Sequence, residues 1–228
     1  MTDADEQSRW GACRPLRRDA QLNRVRIIEA AREVFAARGL AATLDDVAHH
    51  AGVGIGTVYR RFPTKEALVE AALEDRLAEF AGAAEAALRA PTGWDGLTAF
   101  LRIVAEMHAA DRGLRDVALG AGFGLRHHER IGERMEPLVH QLVERARTEG
   151  SLRPDVTAED LPPLLMMISE LAHHSHQVRP DLYGRYLQLL IDGLRCSPTA
   201  GDLGRPLTRD DVDALAQHWL PSIEPRRS

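Results

Sequence analysis

The chain has 228 residues, of which 44% are hydrophobic and 28% charged, ordinary values for a globular protein with a sizeable core. No apolar run approaches the length of a membrane span, and the polar, acidic segment MTDADEQSRW carries no secretory signal, so we expect a cytoplasmic protein without a membrane partner. The net charge of −5 argues by itself against nucleic-acid binding, and the two cysteines, Cys13 and Cys196, form neither a disulfide framework nor a metal-binding signature.

The N-terminal part of the chain predicts a mobile arm followed by a helix. Residues 1–20 are polar and contain four arginines, which favours a flexible basic arm. Helical spacing starts near Gln21, where apolar residues recur at steps of three and four. This apolar stripe consists of Leu22, Val25, Ile28, Ala31 and Phe35. Gly39 then ends the helix at a position suited to a left-handed C-cap.

Two short helices joined by a glycine-rich turn are predicted in the segment LDDVAHHAGVGIGTVYRRF. Thr43 is the predicted N-cap of the first, because Asp46 stands three residues later. Pro63 ends the second, which has a polar side and an apolar side. The polar side carries Thr57, Tyr59, Arg60 and Arg61, and the apolar side carries Val58 and Phe62. Two such helices describe a helix-turn-helix that reads DNA.

The distribution of charge agrees with a DNA-binding head. Residues 9–65 contain 11 Lys and Arg against 5 Asp and Glu, whereas residues 66–228 contain 18 against 26. A cationic head on an anionic body is the expected electrostatic footprint of a modular DNA-binding protein, even though the whole chain is acidic.

The rest of the chain predicts helices only. Thr64 caps a fourth helix, which we expect to connect the two halves of the protein and to act as the lever between them. Further helices are predicted over residues 95–109, 111–119, 128–149, 158–177, 180–194 and 208–220. Pro137 lies inside the third of these and should kink or break it. Because there is no strand pattern, the predicted fold is all-α, an N-terminal three-helix helix-turn-helix domain followed by a C-terminal helical domain.

Two stretches resemble the TetR family of bacterial one-component regulators closely. They are RIIEAAREVFAARGLAAT in the first helix and AGVGIGTVYRRFPTKEAL around the second short helix. The resemblance implies a flexible arm over residues 1–20, a DNA-binding domain over 21–65 and a ligand-binding and dimerisation domain over 66–228. It also implies a nucleoid-associated homodimer that binds a double-stranded DNA operator and an unknown small-molecule effector.

The expected DNA-binding residues lie in and around the second short helix. They are Thr43, Gly54, Ile55, Gly56, Thr57, Tyr59, Arg60, Arg61 and Lys65. By resemblance, Thr43 and Tyr59 hydrogen-bond to phosphates, and Lys65 pairs with a phosphate from the start of the next helix. Thr57 and Arg60 are the candidates for base edges, since an arginine can contact guanine O6 and N7 together.

The remaining expected contacts concern the start of that helix and its second arginine. Gly54 and Gly56 leave backbone N–H groups accessible to phosphate, and Ile55 can meet a thymine methyl group. Arg61 reaches a base or a phosphate. Many relatives carry Ser and Lys at the positions of Gly54 and Ile55, where this chain differs from them. The alternative is that the two arginines form a solvated pair on an exposed helix.

The C-terminal half is expected to bind the effector and the second subunit. The predicted pocket residues are Phe100, Val104, Met107, His108, Phe123, Leu142, Met166, Met167 and Glu170. The predicted dimer interface consists of Leu161, Leu164, Leu165, Ile168, Leu171, Ala172, Tyr183, Tyr186, Leu187, Leu190 and Leu194. The alternative for the pocket residues is that they are ordinary core residues. The alternative for the dimer residues is that they pack only within their own subunit.

The leading functional hypothesis is a homodimeric transcriptional repressor that a small-molecule ligand releases from its operator. The alternatives are a DNA-binding regulator without a ligand, acting as an activator or an architectural factor, and a helical enzyme. We expect no enzyme, because the sequence has no phosphate loop, nucleophile elbow or helical metal-plus-base motif. The histidines His173, His174 and His176 offer only a two-ligand face, so neither a metal nor a cofactor is expected.

Overall fold

A computed structural model describes residues 13–118 and 126–219, and every regular element in these ranges is helical. The ten helices are α1 (Cys13–Arg38), α2 (Leu44–Ala51), α3 (Ile55–Arg61), α4 (Lys65–Ala87), α5 (Gly93–Ala110), α6 (Arg112–Ala118), α7 (Arg126–Thr148), α8 (Leu161–Ser175), α9 (Leu182–Leu194) and α10 (Arg209–Trp219). Short 3₁₀ turns cover Gly39–Ala41 and Ala158–Asp160. The predicted all-α class is confirmed, with one isolated β-bridge between Leu152 and Arg195. None of the described helices is long and apolar enough to cross a membrane.

Helix α1 starts eight residues earlier than the sequence predicts. The helical backbone begins at Cys13 rather than near Gln21, so the second part of the predicted arm, residues 13–20, belongs to α1. Residues 1–12 lie outside the described part of the chain. Leu22 and Val25 are 60% and 48% exposed, so these two members of the apolar stripe lie outside the core. From residue 21 onward, Ile27 is the first buried residue of α1.

Short-range signals place the ends of the next helices where the sequence predicts them. Gly39 adopts the left-handed conformation, with φ of +67°, at the end of α1. The hydroxyl of Thr43 accepts a hydrogen bond from the backbone N–H of Asp46 and caps α2. The Thr64 hydroxyl caps α4 in the same way, by accepting from the N–H of Ala67. These caps satisfy backbone donors that would otherwise have no partner at a helix start.

The described residues form two hydrophobic cores, and α4 belongs to both. The head core is built by α1, the turn after it, α2, α3, the first half of α4 and α6, with Phe35, Val58 and Leu68 almost fully buried. The body core is built by the second half of α4 together with α5, α7, α8 and α9. One helix that contributes to two cores links the position of the head to the packing of the body.

Close backbone approaches fix α5 and α6 in place. A Cβ at Gly113 would lie 2.9 Å from the Cβ of Phe35, so α6 rests directly on α1. A Cβ at Gly96 would collide with the carbonyl oxygen of Ala87 at the end of α4. Helix α7 runs through Pro137 without the break that the sequence allowed. Pro137 lies on the exposed side of α7, where water can replace the backbone hydrogen bond that proline removes.

Candidate nucleic-acid interface

Helices α2 and α3 form the predicted helix-turn-helix. At the start of α2, Thr43 and Asp46 form a reciprocal capping box. At its end Gly52 adopts a left-handed conformation, with φ of +65°, and its N–H bonds back to the carbonyls of Ala48 and His49. Gly54 then serves as the N-cap of α3 without a side-chain hydrogen bond. The turn is therefore compact and adds little side-chain bulk in front of α3.

Helix α3 has one buried side and one exposed side. Val58 and Phe62 are 0% and 3% exposed, and the Arg24 guanidinium lies 5.3 Å from the centre of the Phe62 ring. On the opposite side Tyr59 is 54% exposed, and Arg60 is exposed as well. Anchoring by the buried residues fixes the direction in which the polar side chains project.

The start of α3 has room for a close approach by another molecule. A Cβ built at Gly54 or Gly56 would meet no atom within 4 Å, and the neighbouring Ile55 is 37% exposed. Behind it, Arg60 Nη2 donates a hydrogen bond to the half-buried Thr57 hydroxyl at 3.2 Å. The two candidates for base contacts are thus neighbours, while Arg61 stands exposed at the end of the helix.

Two expected phosphate contacts are engaged within the subunit. The Thr43 hydroxyl donates to Asp46 Oδ2 at 2.7 Å, so its proton is already used in the capping box. Hydrogen bonds from Thr43 and Arg38 hold the pKa of Asp46 at about 2, and the carboxylate stays ionised at neutral pH. Lys65 is half-buried and donates to the carbonyl oxygen of Leu40, and burial lowers its pKa. For Thr43 and Lys65 a phosphate contact therefore remains a prediction that requires these bonds to rearrange.

Comparison with known proteins supplies the family. Residues 27–72 match the family described as bacterial regulatory proteins of the tetR family. Residues 91–196 match the C-terminal domain of regulators like the transcriptional regulator SbtR. A TetR transcriptional regulator from Streptomyces coelicolor is 31% identical, with a TM-score of 0.51, over 76% of this chain and 99% of that protein. The chain belongs to the TetR family.

Two regulators from Pseudomonas putida are similar over shorter stretches. The HTH-type transcriptional regulator SrpR is 30% identical over 141 residues, which are 59% of this chain and 65% of SrpR. The uncharacterized HTH-type regulator TtgW is 48% identical over 59 residues, 25% of this chain and 44% of TtgW. The matched segment thus spans less than two thirds of either curated relative. These relatives are transcription regulators, and this TetR-family chain is a DNA-binding transcriptional regulator rather than an enzyme.

The predicted pocket residues of this TetR-family protein are not all in one environment. Five of them are buried in or beside the body core, namely Phe100, Val104, His108, Leu142 and Met166. Met107 and Glu170 are half-buried, whereas Met167 is 45% exposed. Phe123 lies outside the described residues. The pocket assignment stays a prediction, and the exposure of Met167 sets this residue apart from the five buried ones.

The residues of the predicted dimer surface differ in burial, and the surface itself stays a prediction. Six of its eleven members are buried in the subunit's own core, namely Leu161, Leu165, Ile168, Ala172, Leu187 and Leu194. The others keep some exposure and are Leu164, Leu171, Tyr183, Tyr186 and Leu190. The sequence marked both sides of α8 and α9 as apolar, and only the packing tells the inner side from the outer one.

The histidines on α8 do not form a metal site with other residues. Among residues 13–118 and 126–219, no group of three or more His, Cys, Asp or Glu side chains could hold a metal ion. The rings of His173 and His174 lie 5.1 Å apart, and His174 Nε2 lies 3.4 Å from a Glu170 carboxylate oxygen. Partial burial, with Arg112 and Arg115 nearby, lowers the pKa of His173 and favours its neutral form.

A chain of polar contacts that the sequence did not predict runs from the head to α8, and we call it the Asp116 junction (Leu40, Lys65, Arg115, Asp116 and Glu170). Asp116 Oδ2 accepts a hydrogen bond from the Leu40 N–H at 2.8 Å, and Oδ1 accepts one from Arg115 Nη2 at 2.9 Å. Arg115 Nη1 lies 3.3 Å from Glu170 on α8, and the Leu40 carbonyl accepts from Lys65. The Leu40 peptide is therefore held from α6 on one side and from α4 on the other.

One signal in the sequence could have pointed to this junction. Gly113 on α6 approaches Phe35 on α1, and a Cβ at Gly39, in the turn after α1, would collide with Asp116 Oδ2. Arg115 and Asp116 are only 6% and 8% exposed. In the sequence, two neighbouring charged residues indicate an exposed position, because charged side chains are seldom buried without an ion-pair partner.

Proposed function

We propose that this TetR-family regulator is a homodimeric repressor that binds a duplex operator through α3 and is released from it by a small-molecule effector. The observation that carries the proposal is the two-sided character of α3, with Val58 and Phe62 in the core and Tyr59, Arg60 and Arg61 exposed. A helix held this way can enter a major groove about 12 Å wide without reorganising the head. Nucleoid association is part of the same proposal.

The proposed DNA contacts divide into base readout and phosphate positioning. Arg60 and Thr57, already neighbours in the free protein, face base edges, and Arg60 can contact a guanine through two hydrogen bonds. Tyr59 and Arg61 contact phosphates on either side of the groove. Lys65 joins them only when it leaves the Leu40 carbonyl, which would couple DNA binding to the Asp116 junction.

The proposed dimer uses the outer side of α8 and α9. Leu164, Met167 and Leu171 follow each other at steps of three and four on α8 and keep exposed surface. Tyr186 and Leu189 on α9 are 45% and 56% exposed. Apolar side chains in this number on two packed helices suit a four-helix interface between two copies, whose recognition helices would then meet half-sites at least one DNA turn, about 34 Å, apart.

The proposed release acts through α6 as well as α4. Helix α6 touches α1 and the turn after it, and Arg115 connects it to Glu170 on α8. An effector that moves Glu170 or Arg115 changes the support of the Leu40 peptide, and with it the position of the head. To change the bound fraction from 99% to 1%, the effector must prefer the released conformer about 10⁴-fold.

The proposal is tested first by DNA binding. Fragments of the host genome are selected on the purified protein, and fluorescence anisotropy then measures affinity for the selected duplex over a salt series. We expect affinity to fall steeply with salt, because phosphate contacts release counterions. If no genomic fragment is enriched and low salt produces no binding, the proposal is rejected.

A pair of arginine variants tests the assignment to α3. Arg60→Ala should weaken binding to the selected duplex by about tenfold or more, in line with about 1–3 kcal/mol for a two-bond guanine contact. Arg89→Ala removes the same charge from an exposed position at the other end of α4 and should change affinity little. Equal losses in the two variants would mean that net charge, not α3, carries the binding.

A further inference from the structure

His108 is a buried histidine on α5, close to Ser169 of α8, and it takes no part in the proposed DNA interface. It is 4% exposed, and its ring stacks on Phe80 with 6.4 Å between ring centres and 27° between planes. Phe80 in turn lies 5.8 Å from Phe100, and Val104 and Ala105 on the same helix are fully buried. Among the described residues, the ring thus has an aromatic neighbour in Phe80 and two polar groups nearby, Ser169 and Arg115.

The hydrogen bonds around His108 fix which ring nitrogen carries the proton. The Ser169 hydroxyl donates to the Leu165 carbonyl at 2.6 Å, so its only proton is used there. Ser169 Oγ lies 3.2 Å from His108 Nδ1 and can therefore only accept, which places the proton on Nδ1. Burial, followed by the nearby Arg115 charge, lowers the pKa of His108 to about 4, so the ring is neutral at pH 7.

In the neutral ring with its proton on Nδ1, Nε2 is a bare acceptor. Among the described residues it is buried and has no hydrogen-bond partner. Leaving a buried acceptor unsatisfied costs about 1–3 kcal/mol, and folded proteins satisfy nearly all such groups. The acceptor is thus ready for a donor that comes from outside the chain.

We propose that His108 Nε2 is the polar anchor of the effector site, and that the effector is a small, neutral, largely apolar molecule that donates an O–H or N–H to it. The inference rests on the proposed function, since it concerns the molecule that releases the repressor. An anion is disfavoured because its lone pairs would face that of Nε2. A cation is disfavoured because a charge buried beside the ring without a partner is costly, and the two nearby carboxylates, Asp116 and Glu170, already pair with Arg115.

The protonation state of the ring tests the first step without any ligand. Two-bond ¹H–¹⁵N NMR spectra of the intact protein distinguish a protonated from a bare imidazole nitrogen. We expect a bare Nε2 and a protonated Nδ1 at pH 7, with the signal identified by its loss in His108→Phe. A protonated Nε2 would overturn the proposal, because the ring would then need an acceptor from its ligand.

Matched pairs of probes test the ligand chemistry. Each pair differs only in the donor: phenol and toluene, 1-naphthol and 1-methylnaphthalene, indole and indene. For the best donor probe we expect binding about tenfold tighter than for its partner, and a change in the Nε2 shift. His108→Phe keeps an aromatic ring beside Phe80 and should abolish the preference, whereas His174→Phe, at a histidine that is 75% exposed, should keep it. If no pair shows a preference in the wild type, the proposal is wrong.

A further variant separates a polar anchor from simple packing. Ser169→Ala removes the acceptor that holds the proton on Nδ1, so the ring can take either tautomer and the preference for donor probes should fall by several-fold. An unchanged preference would contradict the assigned tautomer. Binding of the selected operator DNA is measured in parallel, without any probe. If the protein binds this DNA but does not prefer the donor probes, the proposed His108 anchor is rejected and the repressor function stands. If it prefers the donor probes but does not bind DNA, the proposed repressor function is rejected instead.

Discussion

Gly39 offers a sharp test of the contact between α6 and the turn after α1. Its φ of +67° is strained for any residue with a side chain, and a Cβ there would collide with Asp116 Oδ2 and lie 3.3 Å from Asp116 Cγ. Asp116 cannot simply turn away, because the same oxygen accepts from the Leu40 N–H at 2.8 Å and the other binds Arg115. Gly39→Ala should therefore break buried hydrogen bonds in addition to straining the backbone.

A matched glycine separates the two costs. Gly52 has nearly the same φ, +65°, but a Cβ there would meet no atom within 4 Å. Gly52→Ala should lower the free energy of unfolding by the backbone strain alone, about 1–2 kcal/mol. Gly39→Ala should lower it by that amount and by about 1–3 kcal/mol more, for the buried Leu40 N–H that loses its partner. The expected difference between the two variants is the contribution of the contact with Asp116.

Urea denaturation followed by circular dichroism measures both variants, with linear extrapolation to water. A third measurement places Gly39→Ala in an Asp116→Ala background, where the collision is absent and the loss should fall to about that of Gly52→Ala. Such non-additivity is expected for residues in direct contact. Equal losses for the two glycine variants, or the same loss of stability with and without Asp116, would refute the reasoning.

Three further predictions concern the dimer, the buried histidine and the cap of α2. Met167→Glu should convert a dimer into a monomer in sedimentation equilibrium, while Val178→Glu, at a residue that is 88% exposed, should not; a dimeric Met167→Glu would exclude this face. Because the pKa of His108 is about 4 when folded and near 6.5 when unfolded, its contribution to stability is complete above pH 6.5 and is lost as the pH falls toward 4. His108→Phe should flatten the urea-measured stability profile over that range, and an unaltered slope would contradict the shift. Asp46→Asn should cost about 1 kcal/mol at pH 7 by weakening the capping box with Thr43. Because the folded pKa of Asp46 is about 2, the stability difference between wild type and Asp46→Asn should disappear only as the pH falls from about 4 toward 2. Disappearance of this difference at a higher pH would contradict the lowered pKa.

Much of the head could be predicted because its signals are local. Gly39, Thr43 and Pro63 act on the backbone within a few residues of themselves, and the helix ends lie where these residues indicate. The order of the helices and the two-sided α3 follow from the spacing of apolar residues. The start of α1 could not be predicted, since a polar segment has no apolar stripe that would mark it as helical.

The amino-acid sequence was sufficient to predict the helices, their caps and the helix-turn-helix, because propensity, capping and periodicity depend on neighbours in the chain. It was not sufficient for burial on α8, where Leu165 is core and Met167 is exposed two residues later. Nor could it pair Asp116 with Leu40, which lies 76 residues away. Such contacts exist only after distant helices have packed, since the side of a helix that is buried depends on what lies opposite.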